Sequence, residues 1–314
     1  MKYMIFAVMI LFTLAACSKE SMDQQVNSNQ IENTPAVEKK ASYVIEYVSF
    51  AEGIPDYSMD KGTFSERMKD ENYIRKVYGE MFEVYTIKEL KALLTKQLHD
   101  FDKRFLIKIP EVEAPIEQID TILYDIIHEN SMIAGTLLLT DFTYENIKDA
   151  TYLSFENLFT VNAIEMAAIQ PKIEEILQSL QLEEKNDIDK LERIHQYILD
   201  HMIYKEGETV LTDHSPYGFF INGEGVCQAY AMALHMMLEA VGIESLYVVG
   251  DIAGTGDDDV LHAWNLVKID DIWRHVDPTF NDDGEPTRFF MKTDFEMGFT
   301  HVWDQTKYPA ASSI

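Results

Sequence analysis

The chain has 314 residues, 46% of them hydrophobic, and a formal charge of −28. There is enough apolar material for one large domain or two of ordinary size. A surface this negative repels phosphate backbones and anionic headgroups, which argues against a nucleic-acid partner and against charge-driven membrane binding.

The first sixteen residues do not read as fold. Lys2 is followed by an apolar run, Tyr3 to Leu14, too short to span a bilayer comfortably. Residues 17–40 are polar, without hydrophobic periodicity, and read as a disordered tether. Residues 41–165 predict a small α+β domain of unassigned role. Ser42–Phe50 reads as a strand, Ile87–Phe101 as an amphipathic helix and Arg104–Ile109 as a strand. Pro115–Glu129 follows as a second helix, then Ala134–Phe142 and Ala150–Phe159 as strands.

From about Pro171 the pattern changes to helical stripes, Ile173 to Leu180 and Asp187 to Tyr204. Lys205 to Gly225 reads as a loop. Cys227–Val241 is apolar nearly all round, as a buried helix is, and Gly242 ends it. Ser245–Gly250 reads as a strand, and Leu261–Ile269 and Ile272–Asp277 as a hairpin across Asp270-Asp271. The expected second domain covers residues 166–314.

Only two cysteines are present, Cys17 and Cys227. Cys227 opens the buried helix behind a Gly-rich turn, where free N–H groups can stabilise a thiolate or an oxyanion. Taken alone, it could equally be a small buried hydrophobe. The hairpin supplies the rest of a constellation. If Asp270-Asp271 is a two-residue loop, Trp264 opposes Asp277, and His262 becomes the diagonal neighbour of Asp277 on the same face. Asp277 would then orient the imidazole of His262 toward the thiol. Asp-Asp is a poor pair for such a turn, and a three-residue loop would reverse the parity.

Two resemblances extend this reading. Leu14-Ala15-Ala16-Cys17 resembles a bacterial lipobox, which implies a signal peptide over 1–16 and a lipidated Cys17 at the new N-terminus. That in turn implies an extracytoplasmic protein held on the bacterial membrane by acyl chains. Residues 185–285 resemble the transglutaminase-like superfamily, a branch of the papain-like cysteine enzymes. The matching pieces are Gly225-Val226-Cys227 with Tyr230 and Ala231, Gly242-Ile243, His262-Ala263-Trp264-Asn265, and Trp273 before Val276-Asp277-Pro278-Thr279. The implied fold is α+β, a buried Cys-bearing helix packed on an antiparallel sheet. The implied roles are Cys227 as nucleophile, His262 as base and then acid, and Asp277 as orienter. Gln228, Tyr204 and Trp264 are expected around the cleft or oxyanion site. Lys205 stands where the family often has Asp, and Ala229 where Gly or Asp is common.

The expected activity is attack on amide or peptide bonds through a thioester, ending in hydrolysis or acyl transfer. The expected partner is a protein or peptide, with cell-wall peptide suggested by location. The alternative is a catalytically silent, surface-anchored binding or scaffold module. Of the other histidines, His275 and His235 read as packing residues, His214 as a cleft-lining residue and His301 as a rival base. Asp257-Asp258-Asp259 lacks calcium-loop spacing. No zinc pattern, phosphate loop or dinucleotide fingerprint occurs, so no cofactor is expected.

Overall fold

A computed structural model describes residues 6–8, 71–110, 116–147, 149–207, 209–253, 260–282 and 284–312. Cys17, the tether, the Ser42–Phe50 strand and the Asp257-Asp258-Asp259 run lie outside the described residues. Two compact units are present. Unit 1 includes the described stretches up to Glu129 and Leu137–Phe159, and unit 2 includes Asn130–Thr136 and Thr160 onward.

Unit 1 is a five-stranded sheet with helices. Its elements are β1 (Phe6–Val8), α1 (Glu71–Tyr78), β2 (Met81–Glu83), α2 (Ile87–His99), β3 (Arg104–Pro110), α3 (Ile116–Glu129), β4 (Leu137–Ile147) and β5 (Ala150–Phe159). The strand order is β1-β4-β5-β3-β2, and β1 lies at the edge, paired with β4 through Phe6↔Phe142 to Val8↔Thr140. Thr86 caps α2 by accepting the Glu89 N–H, and Leu90, Leu94 and Leu98 bury the helix's apolar stripe. Phe155 on the central strand stacks on Phe105 at 4.8 Å and on Phe142 at 5.6 Å.

The predicted strand Ala134–Phe142 is partly wrong. Ser131–Thr136 is a helical segment, α4, and the strand starts only at Leu137. Tertiary packing overrides local propensity here. The Ser131 hydroxyl accepts the Tyr247 N–H at 3.0 Å, and Gly135 sits so close to Met232 that a Cβ would fall 1.9 Å from its sulfur. This segment therefore belongs to unit 2.

Unit 2 continues with α5 (Ala163–Leu180), α6 (Asp187–His201), β6 (Ile203–Tyr204), β7 (Glu224–Gly225) and α7 (Cys227–Ala240). α5 begins well before Pro171, because Asn162 and Glu165 form a capping box at its start. Asn186 caps α6. The long loop from Lys205 is pinned at its base by the parallel pairs Ile203↔Glu224 and Tyr204↔Gly225. Lys205 itself pairs with Glu224 at 2.7 Å.

A four-stranded antiparallel sheet completes the unit: β8 (Ser245–Ile252), β9 (Leu261–Ile269), β10 (Ile272–Val276) and β11 (His301–Val302), ordered β10-β9-β8-β11. Short helices α8 (Pro278–Asn281) and α9 (Asp294–Met297) follow β10. Ile269 opposes Ile272, so the loop has two residues. Asp270 and Asp271 take φ of 51° and 62°, the left-handed pair a type I′ turn requires. The core gathers α7 residues such as Tyr230, Leu234 and Met237 with Trp264, Leu266 and Val267 of the sheet.

Candidate active site

α7 begins at Cys227. Its capping residue, Val226, offers no side-chain acceptor to the first turn, so the N–H groups there have no side-chain cap. Val226 is itself held by its N–H to Asp213 O at 2.9 Å. Cys227 is 6% exposed and its thiol is free.

His262, near the start of β9, is fully buried and donates from Nε2 to Asp277 Oδ2 at 2.7 Å. The diagonal relation expected from the hairpin is present because the two-residue turn sets the register. Its Nδ1 is buried and has no nitrogen or oxygen partner. The Cys227 thiol is near enough to raise the proton affinity of that ring. Burial opposes the imidazolium, but the charge and hydrogen bond of Asp277 outweigh it, with Cys227 adding to them, and the group is raised to about 10.

Asp277 has no exposed surface. Burial penalises its anion, yet the His262 charge and the hydrogen bonds from His262 and His301 hold it well below the ordinary carboxylate range. Three donors converge on it. Oδ2 accepts from His262 and, at 3.0 Å, from His301 Nε2, while Oδ1 accepts the Phe280 N–H at 3.1 Å as the cap of α8.

The other expected site residues separate into distinct roles. Trp264 is fully buried and stacks on His262 at 5.9 Å, but its indole N–H is committed to His275 Nδ1 at 2.9 Å. It shields the imidazole and is not a cleft donor. Gln228 is buried, with its Oε1 held by His214 Nδ1, whose Nε2 meets the Thr209 hydroxyl at 2.9 Å. Tyr204 packs near Tyr230 at 6.2 Å, and Tyr230 donates to Asp282 at 2.7 Å. His235 is engaged with Ser245 at 2.8 Å, and His275 bonds Asp294 at 2.9 Å. His301 is not a rival base, because its ring nitrogens are occupied by Asp277 and Thr300.

One residue near the thiol has no sequence signal. Tyr247 is buried, its hydroxyl has no hydrogen-bond partner, and burial and the nearby Cys227 raise its pKa well above the ordinary value. Its strand partner is Asn265, whose amide donates to Ala231 O on α7 at 3.0 Å, so Tyr247 faces that helix. An alternating strand residue looks like core until the helix is placed above it.

Among the described residues, His262, Asp277 and His301 could supply three metal ligands, their ligand atoms lying within 4.8 Å of one another. The 2.7 and 3.0 Å separations are hydrogen-bond lengths. An ion would have to displace both N–H protons and spread the cluster, so the residues fit a proton-holding role better than a metal.

Residues 174–278 match the model of the transglutaminase-like superfamily. The match covers a third of the chain, holds Cys227, His262 and Asp277, and marks this segment as similar to transglutaminase-like domains. Among solved structures, a TGase is similar at 15% identity and TM-score 0.33, over 64% of this chain and 59% of that one. A candidate cysteine protease of Cytophaga hutchinsonii is similar at 17% identity and TM-score 0.29, over 56% and 64%. A candidate protease of Parabacteroides distasonis is similar at 12% and 0.27, over 55% and 39%. The chain thus spans less than two thirds of each of these. No curated protein matches it in sequence.

Proposed function

We propose that the chain is a thiol enzyme acting on amide or peptide bonds, with Cys227, His262 and Asp277 as its catalytic group. The observation that carries this reading is the state of His262. One ring nitrogen is fixed on a buried carboxylate, and the other is buried, with no nitrogen or oxygen partner, beside the only thiol of the domain.

In this mechanism the proton of the Cys227 thiol passes to Nδ1 of His262. Sγ attacks the carbonyl carbon, and the developing oxyanion is met by N–H groups of the uncapped first turn of α7. His262 then protonates the leaving nitrogen as the C–N bond breaks, which leaves a thioester. Water or an amine attacks the thioester, His262 takes the proton of the attacking group, and the acyl group leaves as acid or new amide.

The lipobox-like Leu14-Ala15-Ala16-Cys17 supports an extracytoplasmic, lipid-anchored setting, in which cell-wall peptide is an accessible substrate. Processing before Cys17 would remove β1. Because β1 is an edge strand, the β4-β5-β3-β2 ladder would keep all its pairs.

The silent-scaffold alternative draws on burial: His262 and Asp277 are sealed and Cys227 is nearly so. Iodoacetamide labelling of Cys227 in the full-length chain, read by mass spectrometry of its peptide, separates the two. An enzyme labels quickly at pH 6, slows at least tenfold in His262→Ala, and slows in Asp277→Asn. Labelling that is slow in the native protein and indifferent to both substitutions rejects the catalytic reading.

A further inference from the structure

His301 reaches the catalytic group from a strand that the triad does not use. β11 pairs with the edge of β8, His301 opposite Ile252. Gly250 lets the two close in, since a Cβ there would lie 2.2 Å from Val302 O and 2.8 Å from the Trp264 ring. The His301 side chain has no exposure. Trp264, Phe280 and Phe289 surround its ring, at centroid distances of 4.8, 5.0 and 5.6 Å.

Its hydrogen bonds fix its tautomer. Burial outweighs the neighbouring Asp277 charge and lowers the His301 pKa, so the imidazole is neutral with a single N–H. Nε2 lies 3.0 Å from a carboxylate oxygen that can only accept, so the proton is there. Nδ1 must then accept, and the Thr300 hydroxyl, 2.8 Å away, is its donor; Met297 O, at 3.4 Å, is that hydroxyl's more distant acceptor. The chain of donors runs from Thr300 to His301 to Asp277, and ends on the same oxygen that orients His262.

We infer that His301 is a positioning residue for the reaction: by dividing one oxygen of Asp277 with His262, it sets how strongly the carboxylate holds the His262 proton. This rests on the reading of Cys227, His262 and Asp277 as the catalytic group. A second N–H on Oδ2 draws off negative charge and makes Asp277 a weaker acceptor. His262 then gives up its proton more readily to a leaving nitrogen than it would with Asp277 to itself. The other titratable groups that sense this cluster are Cys227 on α7, His195 on α6 and His275 on β10. Both histidines are lowered by burial and so neutral at pH 7.

The test is the pH profile of Cys227 labelling in the full-length chain for the native protein, His301→Leu, His301→Gln and Thr300→Val. Leu removes the N–H, and Asp277 then serves His262 alone. The acid limb of the profile should move about one pH unit lower, a tenfold faster labelling at fixed acid pH. Gln restores an N–H and should return the limb toward the native position. Thr300→Val removes the donor to Nδ1, which makes the Nε2–H a weaker donor to Asp277, and should shift the limb the same way as Leu by a smaller amount, without disturbing the ring. That keeps the inference testable if the Leu variant fails to fold. Superimposable limbs, or a Leu or Val limb displaced to higher pH, overturn it. A native profile already indifferent to His262→Ala would instead overturn the catalytic reading itself.

Discussion

Asp277 shows how a sealed carboxylate stays charged: it accepts from two imidazoles and a backbone N–H. Removing one partner of such a group costs about 3–5 kcal/mol, because a buried charge is left under-compensated. Trp264 sits beside it in a different role. The sequence places its indole at the cleft, while the structure spends its N–H on His275. Trp264→Phe keeps most of the packing and strands His275 Nδ1, which should cost about 1–3 kcal/mol in a urea titration. Cys227 labelling should remain native-like. Loss of labelling with stability intact would return the indole to the cleft.

At the scale of elements, the β9–β10 turn decides whether His262 meets Asp277. Both aspartates take left-handed φ, which Asn and Gly tolerate better than Asp. Asp270→Asn with Asp271→Gly should therefore raise the thermal midpoint by a few degrees, with about 0.5–1 kcal/mol gained, and leave the labelling profile unchanged. A lowered midpoint would mean that the turn is held by something other than its own backbone preference. The hairpin was legible on the supposition of a two-residue loop, since a period of two then leaves one register, and that register carries His262 to Asp277. The helix from Cys227 was legible for a similar reason, its apolar residues all round demanding burial. Ser131–Thr136 was not, since only Met232 and Tyr247, both distant in sequence, make a helical turn the better choice. His301 reads as a stray histidine because its meaning depends on β11 pairing with β8, a two-residue contact without a periodic signature. Tyr247 was hidden by the same limit.

Over the whole molecule, the buried histidines set opposing pH slopes. Burial lowers His195 and His235 to about 4, and lowers His275 as well. In the unfolded chain they titrate near 6.5. Between about pH 6.5 and 4 the unfolded state thus takes up protons that the native state refuses, and each such group removes about 1.4 kcal/mol per pH unit. His262 works in the other direction. Raised to about 10, it contributes stability that is fully present below about 6.5 and is lost as pH rises through about 10. Urea midpoints at pH 4.5, 6.5 and 9 should be highest at 6.5. A midpoint that climbs from 6.5 to 9 would contradict the protonated state assigned to His262.

The chain enters unit 2 at Asn130, returns to unit 1 at Leu137, and crosses again at Thr160. The two units are therefore interleaved along the gene. A single recombination point cannot lift the transglutaminase-like unit onto another protein without β4 and β5, because the turn that fills the slot beside Met232 and meets the backbone of β8 is encoded ahead of them. Inheritance of the complete unit carries two strands of the other with it.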